Sequence, residues 1–247
     1  MAGGALLHAA LCAAPVQSLG LYQEPAPWYD AAYSDTTLTL ATGGSAYAGD
    51  NRAALFHVAL SRLRRGPVHF ALTWSYVFRR GTPSPQWGVG DPKVFARVPL
   101  LRRPATTVFL EAAARLPVAE ADLFPYACGG QEVEILAVLA VPAWGLHVGA
   151  GRQFTEPPND SGLGTADMPH ATHAWLQLTV GGAGFTGQVR ADALVFELEG
   201  HARWLGEARL LHGDPQRFVT RLVAKAEAGP DRLYDYGIEI GFATRLR

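Results

Sequence analysis

The stretch Val68-His69-Phe70-Ala71-Leu72-Thr73-Trp74-Ser75-Tyr76-Val77-Phe78 decides the fold class. Successive side chains of a strand point to opposite faces. Read with that period, one face carries Val68, Phe70, Leu72, Trp74, Tyr76 and Phe78. The other carries His69, Ala71, Thr73, Ser75 and Val77. One face is wholly apolar and aromatic and the other small or polar, a separation that a helical period would scramble.

The same alternation recurs along the chain. In 144–152 one face is Trp144, Leu146, Val148 and Ala150, the other Gly145, His147, Gly149 and Gly151. In 217–227 Phe218, Leu222, Ala224 and Ala226 face away from Arg217, Val219, Arg221, Val223, Lys225 and Glu227. In 234–247 Tyr234, Tyr236, Ile238, Ile240 and Phe242 oppose Asp235, Gly237, Glu239, Gly241 and Arg245. Several of these segments run to about ten residues, longer than the ~5–6 of an ordinary strand and equal to the ~9–11 of a tilted membrane strand. Aromatics gather near segment ends, at Trp74, Tyr76 and Phe78, at Trp144, at Trp204, and at Tyr234 and Tyr236. Aromatic girdles at the two membrane interfaces produce that distribution.

The predicted fold is therefore all-β, a transmembrane antiparallel up-and-down β-barrel of about twelve strands. They are expected at 36–43, 52–62, 67–78, 92–101, 106–116, 131–141, 143–152, 171–181, 184–191, 193–204, 216–227 and 233–246. The apolar phase switches from Phe185, Val189 and Ala191 to Leu194, Phe196 and Leu198, which predicts a tight turn or a bulge near Asp192. Trp74, Leu146, Leu178, Phe196, Ile238 and Ile240 are expected on the outward face. Short turns at 63–66, 102–105, 142 and 182–183 alternate with long loops at 79–91, 117–130 and 153–170. A periplasmic and an outward-facing rim differ in this way.

Composition narrows the function. The chain has 247 residues, with 21 Lys+Arg against 22 Asp+Glu, a net charge of −1. No excess of positive charge supplies the phosphate-neutralising term of a nucleic-acid binder, so nucleic acid is excluded as a partner. Charged residues are only 17 %, below the roughly 25 % of soluble domains. Hydrophobic residues are 49 %, which excludes a disordered chain. Residues 1–23 contain no Asp, Glu, Lys or Arg, and Gly4 to Ala14 is a short apolar run followed by small residues. A signal peptide is expected over 1–18, a periplasmic segment over 19–34 and the barrel over 35–247. Once Cys12 is removed with that leader, Cys128 has no partner for an intramolecular disulfide.

Three segments carry a resemblance. Trp87 to Leu101 (WGVGDPKVFARVPLL) places a Gly-x-Gly-Asp turn before a strand. Phe109 to Pro142 holds a strand ending in Leu-Pro, a glycine-bearing loop and a strand with acidic residues, and the terminal YDYGIEIGFATRLR forms a closing strand. Together they resemble the outer-membrane β-barrel family named after the MetA pathway of phenol degradation. Its Pro-Thr-Gly after the fifth strand is Pro117-Val118-Ala119 here. The resemblance implies an outer-membrane barrel of the Gram-negative envelope that passes small molecules, hydrophobic or aromatic ones among them. It implies no catalytic residues and no cofactor. Outer-membrane lipids and a small-molecule substrate are the expected partners.

The polar phase supplies the candidate lumen-lining set: Lys93, Arg97, Glu111, Arg115, Glu132, Glu134, His147, Glu197, Glu199, Arg203, Arg221, Lys225, Glu239 and Arg245, with Arg190 on the same phase. An Arg or Lys facing lipid at the midplane costs ~2–4 kcal/mol, so these side chains must point inward and pair across neighbouring strands. Glu197, Glu199, Arg203, Arg221, Lys225 and Glu239 are expected to converge on one wall. The glycines of 145–151 are expected to leave room opposite it, with a path along Gly145, Gly149 and Gly151. Asp167, His170 and His173 have a spacing that could hold a metal, but they read as a solvated rim loop, and no metal is assigned. Three alternatives stay open: a structural barrel without transport, a soluble lipocalin-like ligand-binding barrel, and a lipid hydrolase. The last lacks serines at membrane depth beside a histidine.

Overall fold

The computed structural model describes residues 37–46, 52–65, 68–80, 86–118, 131–155, 170–182, 184–196, 202–214, 218–229 and 236–245; the burial of side chains is described for a subset of these. The expected signal peptide and periplasmic segment lie outside the described residues. The elements are β1 (Thr37–Ala46), β2 (Arg52–Arg65), β3 (Val68–Arg80), β4 (Gln86–Val89), β5 (Lys93–Arg102), β6 (Thr107–Arg115), β7 (Glu132–Val141), β8 (Leu146–Thr155), β9 (Ala171–Gly182), β10 (Phe185–Phe196), β11 (Ala202–Asp214), β12 (Phe218–Ala228) and β13 (Tyr236–Arg245).

Every pairing is antiparallel and joins neighbours in the chain, with two exceptions that make the architecture. β3 pairs with β5 past the short β4, and β13 pairs with β1 from Thr37↔Arg245 to Ala46↔Tyr236. With β1–β2 and β2–β3 also paired, the ladder returns to its start. β4 lies along the same edge of β3 as β5, pairing with Tyr76–Arg79 where β5 pairs with His69–Thr73, and the other twelve strands close the ring, each paired on both sides among the described residues. One rim holds the connections at 66–67, 103–106, 142–145, 183–184 and 215–217, and the other holds the longer ones.

Inside and outside are set by the pleat. Trp74, Leu178, Ile238 and Ile240 are 47 %, 47 %, 58 % and 61 % exposed, and the charged phase is buried. A water-soluble barrel has the reverse polarity. The exposed apolar set runs round the ring through Leu110, Leu139, Leu176, Val189, Leu210 and Leu222. Only a bilayer offers that surface a favourable environment.

The structure corrects the reading at Asp192. β10 runs unbroken from Phe185 to Phe196, with every residue from Phe185 to Val195 in register with β11 and all of β10 in register with β9. Asp192 is buried on the inner face. The apolar phase switches because Leu194 and Phe196 point inward, both with no exposure, while Val189 and Val195 remain outside. Phe196 is thus not part of the outer belt, and Leu146 is only half-buried on the outward phase. The strand expected at 193–204 is instead divided between the end of β10 and the start of β11, and residues 205–214, outside any expected strand, continue β11. The twelve-strand ring stands with different boundaries. A second correction concerns the turn after β7, which is a 3-10 turn at Pro142–Trp144 rather than Pro142 alone. Gly145 closes it at φ 61, donating its N–H to the Pro142 carbonyl and accepting from Thr179 N–H.

Candidate functional site

The strand pleat places the charged phase inside the ring. Lys93, Arg97, Glu111, Arg115, Glu132, Glu134, Arg203, Lys225 and Glu239 are buried, and Arg221 and His147 are half-buried. Glu197 and Glu199 lie outside the described residues. Arg245 ends β13 opposite Thr37, and its side chain is outside the description.

Register decides which charges meet. Arg97 sits directly opposite Glu111, and Arg115 opposite Glu132, each pair with Nε at 3.4 Å from the carboxylate. On β12 and β13 the residue opposite Glu239 is Val223, so Arg221 and Lys225 flank Glu239 diagonally. Lys225 Nζ reaches Oε1 at 2.5 Å, and Arg221 Nη2 lies 3.7 Å from Oε2. Arg203 pairs with Glu227 at 3.4 Å. The wall expected from six residues therefore contains Arg221, Lys225 and Glu239 as one group, while Arg203 belongs to another.

The densest cluster was missed by the sequence. His173 is buried without exposure on β9, not on a solvated rim loop. Its Nδ1 bonds Glu134 Oε1, and its Nε2 lies 3.0 Å from Asp192 Oδ1. Arg190 Nε donates to both Asp192 oxygens at 2.9 Å. Glu207 stands opposite Arg190 on one side and Lys225 on the other, and it pairs with Arg209 on its own strand. The signal for Glu207 and Arg209 was present as alternation from Arg203 to Leu211, but the misplaced turn at Asp192 hid it. Of the proposed metal trio, His170 is half-buried beside the Phe154 ring, and Asp167 lies outside the described residues. Among the described residues no His, Cys, Asp and Glu group has the form of a metal site.

Three arginines of this interior also lie over aromatic rings: Arg97 over Phe109 at 3.4 Å, Arg190 over Trp175 at 4.6 Å and Arg203 over Phe196 at 5.3 Å. Between the ion pairs Ala71, Phe95, Ala113, Leu136, Val138 and Trp175 form an apolar cluster, with Phe109 against it.

Glycines 149 and 151 do not leave an open path. Gly149 is the register partner of Trp175, and a Cβ at Gly149 would overlap that indole. Gly151 lies between Leu136 and His173 in register, and a Cβ there would run into the β7 backbone at Ile135. Glu134 and His173, two strands apart, meet across β8, where Gln153 stands opposite Glu134 and Gly151 opposite His173. Gly145 belongs to the rim turn and not to the interior.

The Gly-x-Gly-Asp segment has a local role. Trp74 Nε1–H donates to the Gly90 carbonyl at 2.9 Å, and buried Asp91 Oδ1 accepts from Val118 N–H at 3.0 Å. It ties β3 to the start of β5 and to the segment after β6.

No protein-family model and no curated protein matches the chain. Solved structures do. The COG4313 outer membrane channel from Pseudomonas putida F1 superposes with a TM-score of 0.64 at 12 % identity, over 90 % of this chain and 98 % of that one. The NanC porin gives 0.59 at 10 % identity, over 85 % and 100 %. Outer membrane phospholipase A from Escherichia coli gives 0.50 at 11 % identity, over 85 % and 92 %. At these identities the likeness concerns the fold. A closed antiparallel ring, apolar outside and charged within, that superposes on these barrels is an outer-membrane β-barrel, and the outer membrane is where the chain resides.

Proposed function

We propose that the barrel is a non-catalytic channel for small molecules with an apolar or aromatic body, related to the family named after the MetA pathway of phenol degradation. One observation carries the reading: the interior is lined by paired charges interleaved with an apolar cluster centred on Trp175. Paired charges present little net field to an ion, while Phe95, Leu136, Val138 and Trp175 offer contact to an apolar solute. Arg115, Glu132, Gln153 and His173 have no exposure, so on this reading a solute passes by displacing side chains. The COG4313 channel and the NanC porin, which share the fold, are named as a channel and a porin.

The test is reconstitution of the full chain. Planar-bilayer recording should show low conductance with weak ion selectivity. Liposomes should swell faster with small aromatic or apolar solutes than with sugars of similar size. Silence in both assays, with a folded barrel, would sink the channel reading and favour a structural barrel, which the dense ion pairing also suits.

A further inference from the structure

We infer that Arg152 and Thr172, on the outer wall near the long-connection rim, bind the anionic phosphate headgroup of an outer-leaflet lipid whose acyl chain lies over the alanines beneath them. Arg152 breaks the rule that orders the rest of the barrel. Along β8 the outward side chains Ala150 and Phe154 are exposed, while Gln153 on the inward phase has no exposure. Arg152 is exposed on the outward phase between them, and its register partners Ile135 and Thr172 are exposed too. Among the described residues whose burial is given, it is the only Asp, Glu, Lys or Arg on the outward phase of a strand. An arginine on a lipid-facing wall calls for an anion at its own height, because hydrocarbon offers it none.

Height on the wall identifies the partner. β8 ends at Thr155, so Arg152 lies about 10 Å of strand from that end, at a rise of ~3.4 Å per residue. Phe154, 40 % exposed and edge-on to His170, stands on its rim side, where aromatic rings mark the interface. The cost of an outward arginine falls steeply from the midplane to that level, and its long stem lets the guanidinium rise to the headgroups. Thr172 stands directly opposite on β9. Cross-strand partners have Cβ atoms only ~5 Å apart, so a guanidinium and a hydroxyl can serve one phosphate, with charge-assisted bonds from the arginine. A second copy laid wall to wall is a poor partner: among the described residues no Asp or Glu lies on the outward phase, so it would bring no carboxylate. Beneath the pair, Ala137, Ala150, Ala174 and Ala193 are successive register partners across β7 to β10. The exposed Leu139 and Leu176 follow on the midplane side. The row of methyl groups is thus a shallow trough below a polar pair, and an amphiphile with an anionic head matches both parts.

The experiment uses the full chain in nanodiscs of phosphatidylcholine with a minority of phosphatidylglycerol. Lipid retained after transfer to detergent is quantified by native mass spectrometry. The wild type should enrich phosphatidylglycerol. Arg152→Gln should lower that enrichment about fivefold, and Arg152→Lys should retain most of it. Ala150→Leu/Ala174→Leu, which fills the trough, should also lower it. Millimolar inorganic phosphate should not displace the lipid. Unchanged enrichment in either the folded Gln variant or the folded Leu variant overturns the inference; in the first case Arg152 answers to a partner within its own chain. Complete displacement by inorganic phosphate overturns it as well, since the lipid chain would then contribute nothing. If the Gln variant does not fold, enrichment by the wild type is measured against salt, and a salt-insensitive enrichment equally overturns the inference. Conductance does not enter any of these outcomes, so the site stands or falls separately from the channel.

Discussion

The indole of Trp175 occupies the space that a side chain at position 149 would fill. The two residues are cross-strand partners on β9 and β8, and Trp175 is 3 % exposed with the Arg190 guanidinium above its ring. A glycine on a strand costs conformational entropy; here it lets the largest aromatic side chain lie flat against the wall and joins the apolar cluster to the ionic one.

Gly149→Leu should displace that ring. Overpacking of a filled interior costs ~1–3 kcal/mol. The urea midpoint in a lipid environment should fall accordingly, with a shift in tryptophan emission, whereas Ala150→Leu on the outward face should leave both nearly unchanged.

Asp192 holds Arg190 on one side and His173 on the other. Asp192→Ala leaves a buried guanidinium without its carboxylate, and breaking one partner of a buried pair costs ~3–5 kcal/mol. Replacing Asp192 and Arg190 together by Leu and Met should cost less than the single change. Equilibrium unfolding of the three variants measures this, and a double variant weaker than the single would refute the pairing account.

Glu239 receives both Lys225 and Arg221. Glu239→Gln should move the reversal potential of the reconstituted barrel toward anions. Arg221→Gln/Lys225→Gln should move it toward cations. Unaltered selectivity in both, with conductance intact, would place these three residues outside the path.

Position on the outer face should set the cost of a charge. Val189 and Ile238 are 61 % and 58 % exposed and lie in one register row through Ala208 and Ala224. Ile238→Arg should destabilise by ~2–4 kcal/mol if that row crosses the midplane, and Phe185→Arg at the rim by ~0–1 kcal/mol. Equal costs at the two sites would contradict the assigned depth.

Period-two alternation determined strands with one apolar and one polar face, because the pleat offers only two sides; strand length, the aromatics near strand ends and the alternation of short and long connections pointed the apolar face outward. Alternation was enough also to put Lys93, Glu134, Lys225 and their like on one phase. What alternation cannot encode is depth within the polar phase: Leu194 and Phe196 are apolar and inside, because a narrow interior needs packing as well as pairing. Their presence read as a turn at Asp192. Nor can it show which charges meet. His173 reaches Glu134 across a whole strand, past Gly151 and Gln153 of β8, and Glu239 is flanked by Arg221 and Lys225 because register sets Val223 opposite it. Side is a local property of a strand and is written residue by residue; partnership depends on register and ring closure, which exist only once the strands have assembled.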